Sequence, residues 1–160
     1  VVDRAALEFP GDAFDFPRPL LHKNEHNFSF SGLKTAMLRF REKHPDISSS
    51  SKNSSNPLLA EGPVLASFFQ SVIDVLIHKT FKAAKIYGLN NISVSGGLAA
   101  SRKLLSAFEA EAARKGIKLF YPPPNLCTDN AAMVTCLAAH RFEEQQFDDL
   151  KLDAFPNLLS

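Results

Sequence analysis

The sequence predicts an α/β fold built on a mainly parallel sheet. Three observations carry that expectation: strand-like and helix-like segments alternate along the chain, one strand turns on a glycine pair into a helix, and a second strand precedes a capped helix. In such sheets ligands sit beyond the carboxyl ends of the strands. Gly96-Gly97 and Thr128-Asp129 both follow strands and are expected to meet in one cleft.

Residues 2–8 read as a short helix, whereas residues 9–19 are too rich in Pro, Gly and Asp for regular structure. Phe14-Asp15-Phe16-Pro17-Arg18-Pro19 is extended, because each Pro fixes its own φ and pushes its predecessor out of the helical region. Asn27-Phe28-Ser29-Phe30 alternates polar and aromatic residues, a strand by period. After Ser31-Gly32, residues 33–43 set Leu33, Met37, Leu38 and Phe40 near one helical face. The polar run Ser48-Ser49-Ser50-Ser51-Lys52-Asn53-Ser54-Ser55-Asn56 has too little apolar surface to fold, so about 45–57 is expected to be a flexible Ser-rich loop joining two helices of one domain. Residues 58–87 are helical by the spacing of Val64, Phe68, Val72, Val75, Leu76 and Lys79. Gly62-Pro63 marks a break or start, and Gly88 closes the helix.

Asn91-Ile92-Ser93-Val94 then reads as a buried strand that breaks at Gly96-Gly97 and resumes as a helix to about residue 115. Residues 117–121 form a second strand, and Pro122-Pro123-Pro124 is its rigid exit. Thr128 or Asp129 caps a helix over about 130–145, and residues 147–160 look like an irregular tail.

A chain of 160 residues fits one domain or a piece of a larger protein. It opens on Val1-Val2-Asp3 without an initiating Met, which reads as the interior of a longer polypeptide. The net charge of +1 excludes a bulk electrostatic attraction to nucleic acid, leaving only a local patch or a partner's help. Cys127 and Cys136 lack metal-finger spacing and read as reduced cytoplasmic thiols. No signal peptide and no apolar run long enough to span a bilayer are expected, so no membrane partner is implied.

Several residues have two readings. A strand turning on Gly-Gly into a helix bares backbone N–H groups and allows close ligand approach, which suits a nucleotide or phosphate; it is also an ordinary tight turn. Asp129 can ligate a metal or serve as an N-cap. Cys127 reads as a buried structural thiol. His22 and His26 are four apart, yet follow a Pro-rich extended segment, so a solvated loop is expected; His78 and His140 read as surface or structural residues. Ser31-Gly32-Leu33-Lys34-Thr35 lacks the Gly-rich approach of a P-loop, which leaves Lys34 an exposed lysine.

Taken in order, Phe16-Pro17-Arg18-Pro19, Phe28-Ser29-Phe30-Ser31-Gly32-Leu33-Lys34-Thr35, Ser95-Gly96-Gly97 and Cys127-Thr128-Asp129-Asn130-Ala131-Ala132-Met133 resemble the carboxyl-terminal half of the bacterial-type tRNA adenosine threonylcarbamoyltransferases. The resemblance covers nearly all of residues 1–160 apart from the Ser-rich loop and the tail. It implies the two-lobed actin/Hsp70/sugar-kinase (ASKHA) fold, of which this chain is one part. It also implies transfer of a threonylcarbamoyl group from threonylcarbamoyl-AMP to the adenosine beside the anticodon of tRNA. By the same resemblance Asp3, Gly96, Gly97 and Ser101 contact the nucleotide, and Asp129 ligates one divalent metal, iron or zinc, that holds and polarises the transferred group.

The family's other metal ligands are a His-x-x-x-His pair in the preceding half; His22 and His26 lie at the wrong place in the motif order to be that pair, so the chain alone is expected to bind metal weakly and to be inactive. Ser101 stands where the family usually has Asn, exchanging an amide for a hydroxyl. The implied partners are tRNA, threonylcarbamoyl-AMP and, in a bacterium, TsaB- and TsaE-like proteins, with a cytoplasmic location. The alternative is a non-catalytic scaffold of the same fold that pairs with a relative.

Overall fold

The computed structural model describes residues 2–22, 25–47 and 57–153; of the loop expected over about 45–57, residues 48–56 lie outside them, whereas 45–47 are helical and Pro57 already begins a helix, and the last seven residues of the tail also lie outside. Helix α1 (Val2–Glu8) forms where composition predicts it. Its buried Ala5 and Ala6 are small enough to bring α1 close along α3 (Pro57–Ile86), the central helix. Residues 9–22 then run over α3 without regular structure. Ser67 Oγ accepts from the Phe14 N–H at 3.1 Å, and Arg18 Nε donates to Asp74 at 2.8 Å.

Helix α2 (Ser31–Lys43) starts two residues before the expected position. Leu33 is buried, with Ala36, Met37 and Phe40 half-buried beside it, a one-sided stripe at helical spacing. Leu38 lies off this stripe and is 55% exposed, contrary to expectation. The stripe forms a small core with Phe16 and Val64, and Phe14 meets Phe40 edge-on at 5.0 Å.

Residues 27–30 are not a strand, although the alternation predicts one. The Phe28 and Phe30 rings do stack on one side, 6.4 Å apart, as alternation requires. Cavities of about 300 and 330 Å³, each lined by Phe28 and by β1 residues, separate the segment from the only sheet among the described residues. Without a ladder partner, alternation alone does not make a strand.

The expected break at Gly62-Pro63 is absent, and α3 runs through both residues. Gly62 serves close packing instead, since a Cβ there would lie 2.3 Å from the Phe9 ring. Gly88 ends the helix as predicted, at φ 64°, with Leu89 N–H donating to Ala84 O at 2.8 Å. The stretch Glu61–Ile86 is long and apolar enough to cross a bilayer, with mean hydropathy 1.3, which corrects the expectation that no run reaches that length. Half of its most apolar window is buried inside the protein, and Phe69, Ile73, Phe81 and Ala84 belong to the main core. The composition is that of a core helix.

Strands β1 (Asn91–Ser93) and β2 (Lys118–Phe120) pair in parallel with Ile92 opposite Leu119, joined through α4 (Arg102–Lys115). Leu104, Phe108 and Ala112 recur every four residues on α4 and are buried against Phe69, Ile73, Phe81 and Ile92. Each large side chain so buried stabilises by roughly 2 kcal/mol. Helix α5 (Ala131–Glu143) has no buried residue. From residue 147 to 153 the chain is irregular, as the sequence suggests.

Candidate functional site

The glycine pair does not lead straight into α4. Gly96 adopts φ 90°, ψ 173°, a backbone state open essentially to Gly. Gly97–Ala100 then forms a single 3-10 turn, with Ala99 N–H donating to Gly96 O at 2.9 Å, before α4 begins at Arg102. The N–H groups of Gly97 and Leu98 donate to no other described residue. The bare donors expected at the start of α4 therefore lie five residues earlier, on this turn.

The start of α4 is itself closed. Ser101 is its N-cap, 7% exposed, and its hydroxyl accepts from Leu104 N–H at 3.1 Å while donating to Asp3 Oδ1 at 2.5 Å. Asp3 also accepts from the Lys103 N–H at 3.2 Å and, through Oδ2, from the Arg102 N–H at 3.4 Å. One carboxylate and one hydroxyl thus take all three first-turn donors, a placement the helix dipole favours. Residues 98 positions apart are joined here, which no local pattern announces.

The second turn is organised by Asn130. Its side chain accepts from Met133 N–H at 3.0 Å and donates to Thr128 O at 2.8 Å and Leu126 O at 3.3 Å. Asn130, and neither Thr128 nor Asp129, is the N-cap of α5. The three neighbours are all capping residues, and a helix start one position later than expected selects the third. Asp129 is consequently exposed and makes no hydrogen bond or ion pair with any described residue. Cys127 is buried, its Sγ 3.6 Å from the Pro122 and Pro123 carbonyls, a structural thiol as expected.

The two turns meet. A Cβ placed on Gly97 would lie 3.9 Å from the Thr128 methyl, ordinary contact distance. An open groove of about 330 Å³ runs beside the first turn, lined by Ser93, Ser95, Leu98 and Phe28. Behind the second, the Tyr121 hydroxyl donates to Glu109, and that acceptor holds the phenol above its ordinary pKa. The arrangement offers two free N–H donors and one free carboxylate at the carboxyl ends of parallel strands.

The structure does not assemble a metal centre from these parts. No group of three His, Cys, Asp or Glu residues is placed to hold a metal among the described residues. One exposed carboxylate is a poor cation site alone. His22 and His26 are exposed on the loop the sequence predicts, against His78 and Tyr87 respectively, and His78, His140 and Lys34 are also exposed.

Comparison with known proteins adds an independent line. Residues 1–136 match the family described as TsaD, tRNA N6-adenosine threonylcarbamoyltransferase. A protein of that name from Thermotoga neapolitana is 37% identical over 99% of this chain and 45% of its own length. Those from Thermosipho melanesiensis and Geobacter metallireducens are 41% and 40% identical, over 91% and 98% of this chain and 41% and 43% of their own. The chain therefore spans less than half the length of these curated relatives.

Proposed function

The chain belongs to the tRNA N6-adenosine threonylcarbamoyltransferase family, and from that premise we propose that it supplies the adenylate-side wall of a threonylcarbamoyl-transfer site. The whole site would lie in a two-lobed ASKHA fold of which residues 1–160 are the carboxyl-terminal part. The reaction joins the exocyclic amine of a tRNA adenosine to the carbonyl carbon of threonylcarbamoyl-AMP. The bond from that carbon to the phosphate oxygen breaks, AMP leaves with the oxygen, and the amine gives up a proton.

The observation that carries this reading is the meeting of the Gly96-Gly97 turn with the Thr128-Asp129 turn. The Gly97 and Leu98 N–H groups suit phosphate oxygens of the adenylate. Asp3 Oδ2, with only a long bond from Arg102, keeps acceptor capacity for a nucleotide hydroxyl. Ser101 acts mainly by holding Asp3. Asp129 would be one ligand of a divalent ion, iron or zinc, completed by residues outside the described ones. TsaB- and TsaE-like partners and a cytoplasmic location follow from the same reading.

The Ser101–Asp3 bond is the observation on the side of the scaffold alternative, because it engages two residues expected to touch nucleotide. Transfer of labelled threonine from threonylcarbamoyl-AMP to unmodified tRNA separates the two readings. The chain joined to the remaining portion of the Thermotoga neapolitana relative should support transfer, and Asp129→Ala should reduce it at least tenfold, the usual scale for a lost metal-site group. A joined protein that folds and binds partners without binding threonylcarbamoyl-AMP would be a scaffold.

A further inference from the structure

Helix α2 carries the positive charge that the chain as a whole lacks. Lys34, Arg39, Arg41 and Lys43 stand against Glu42 alone, so these 13 residues hold a larger surplus than the net +1 of the entire sequence. Thr35, Arg39 and Lys43 follow at four-residue steps, all exposed, and line an open groove of about 590 Å³ between α2 and residues 15–17. Arg39 and Lys43 make no ion pair with any described residue. Arg4, Arg18, Arg114 and Lys115, by contrast, are each matched to a carboxylate. Asp15 is the one acid lining the groove among the described residues, and Arg18 already pairs with it at 3.2 Å. Like charges one helical turn apart repel and destabilise a helix, so α2 gains nothing from setting Arg39 beside Lys43. An anion held between them turns that repulsion into attraction.

We propose that this face of α2 contacts the sugar–phosphate backbone of tRNA, away from the reacting adenosine. The inference rests on the proposed function for the identity of the RNA, and not on the adenylate wall. Position supports it. Ala83 and Ala84 of α3 lie by Asn91 and Ile92, whereas Leu76 and Thr80 lie by Ser93, Val94 and Ser95. Strand β1 therefore runs antiparallel to α3 and points towards the end where Val64 and Phe68 pack against the α2 stripe. From Leu76 to Val64 is about 18 Å along α3 at 1.5 Å per residue. That is beyond the reach of an adenylate bound at the Gly96–Leu98 turn, but within reach of a polynucleotide whose backbone continues past its reacting base. The polar side chains lining the groove are all exposed, so no buried donor is present to grip a small anion. A phosphate backbone instead offers a row of anions along a row of cations, and such contacts position the RNA without reading its sequence.

Binding of labelled, unmodified tRNA to residues 1–160 is measured between about 50 and 200 mM salt, with no adenylate present. Arg39→Gln with Lys43→Gln should lower the slope of log affinity against log salt by about 2, one for each lost phosphate contact, and weaken binding several-fold. Gln is as good a helix former as either residue it replaces, so circular dichroism should not change. Arg39→Lys with Lys43→Arg keeps the charge and should keep the parent's slope. Lys85→Gln with Lys118→Gln removes equal charge at the other end of α3 and should also leave the slope unchanged. Equal losses in the two Gln pairs would reduce the effect to net charge and overturn the proposal. Undetectable tRNA binding would overturn it too, as would polyglutamate binding that the α2 pair abolishes while tRNA binding stays, which assigns the face to an acidic protein. The readout involves neither threonylcarbamoyl-AMP nor the glycine turn. A chain that binds tRNA through α2 while AMP perturbs no amide at Gly97 or Leu98 keeps this inference and loses the adenylate wall.

Discussion

Ser101 carries more structure than its side chain suggests. It caps α4 and, through the same oxygen, anchors Asp3 of α1. Ser101→Ala is expected to lower stability by about 1–2 kcal/mol, the range for a lost N-cap, measured by urea denaturation. Asp129→Ala should change stability by less than about 0.5 kcal/mol, because an exposed side chain without partners has nothing to lose. The pair tests whether Asp129 is held for function and Ser101 for the fold. Both positions stand out in the sequence, but their division of labour does not. Joining Ser101 to Asp3 requires the packing of α1 beside α4, which no local pattern in the sequence encodes.

Among the elements, α3 shows where local rules and packing disagree. Gly and Pro predict a break at Gly62-Pro63, but a Phe9 ring fills the space where a Gly62 Cβ would stand. Helix propensity favours Gly62→Ala by about 1 kcal/mol, while overpacking of this kind costs about 1–3 kcal/mol. The clash should win, and thermal melting should show a lower midpoint. The missing strand at 27–30 follows the same logic, since alternation is local but a ladder needs a neighbour. Helix periods, the Gly88 stop and the β1–turn–α4–β2 order were legible because each depends on nearby residues alone. At the end of α4, the hydrogen bond from Arg114 holds Glu111 below its ordinary carboxylate pKa, against the opposing pull of desolvation. A lowered folded pKa stabilises above the unfolded pKa and is lost as pH falls through the folded one. Glu111→Gln should therefore cost a few tenths of a kcal/mol at pH 7, the scale for such helix pairs. The cost should vanish once pH drops below that range.

At the scale of the molecule, the described residues form two well-packed regions around α3, while α5 has no buried residue. The parallel pairing of β1 with β2 was readable from element order, whereas the exposure of α5 was not, because apolar composition says that a helix is covered without saying by what. The same incompleteness bears on the site, where two donors and one carboxylate face outward without further ligands. A chelator should leave the melting curve of the isolated chain unchanged, as a lone carboxylate holds no structural ion. The central claim is that the Gly96–Leu98 turn and the Thr128–Asp129 turn form one adenylate-facing wall. Titrating AMP into residues 1–160 while recording backbone amide resonances tests it most directly. The account predicts saturable shifts concentrated at the Gly97, Leu98, Thr128 and Asp129 amides; shifts confined elsewhere, or none at millimolar AMP, would contradict it.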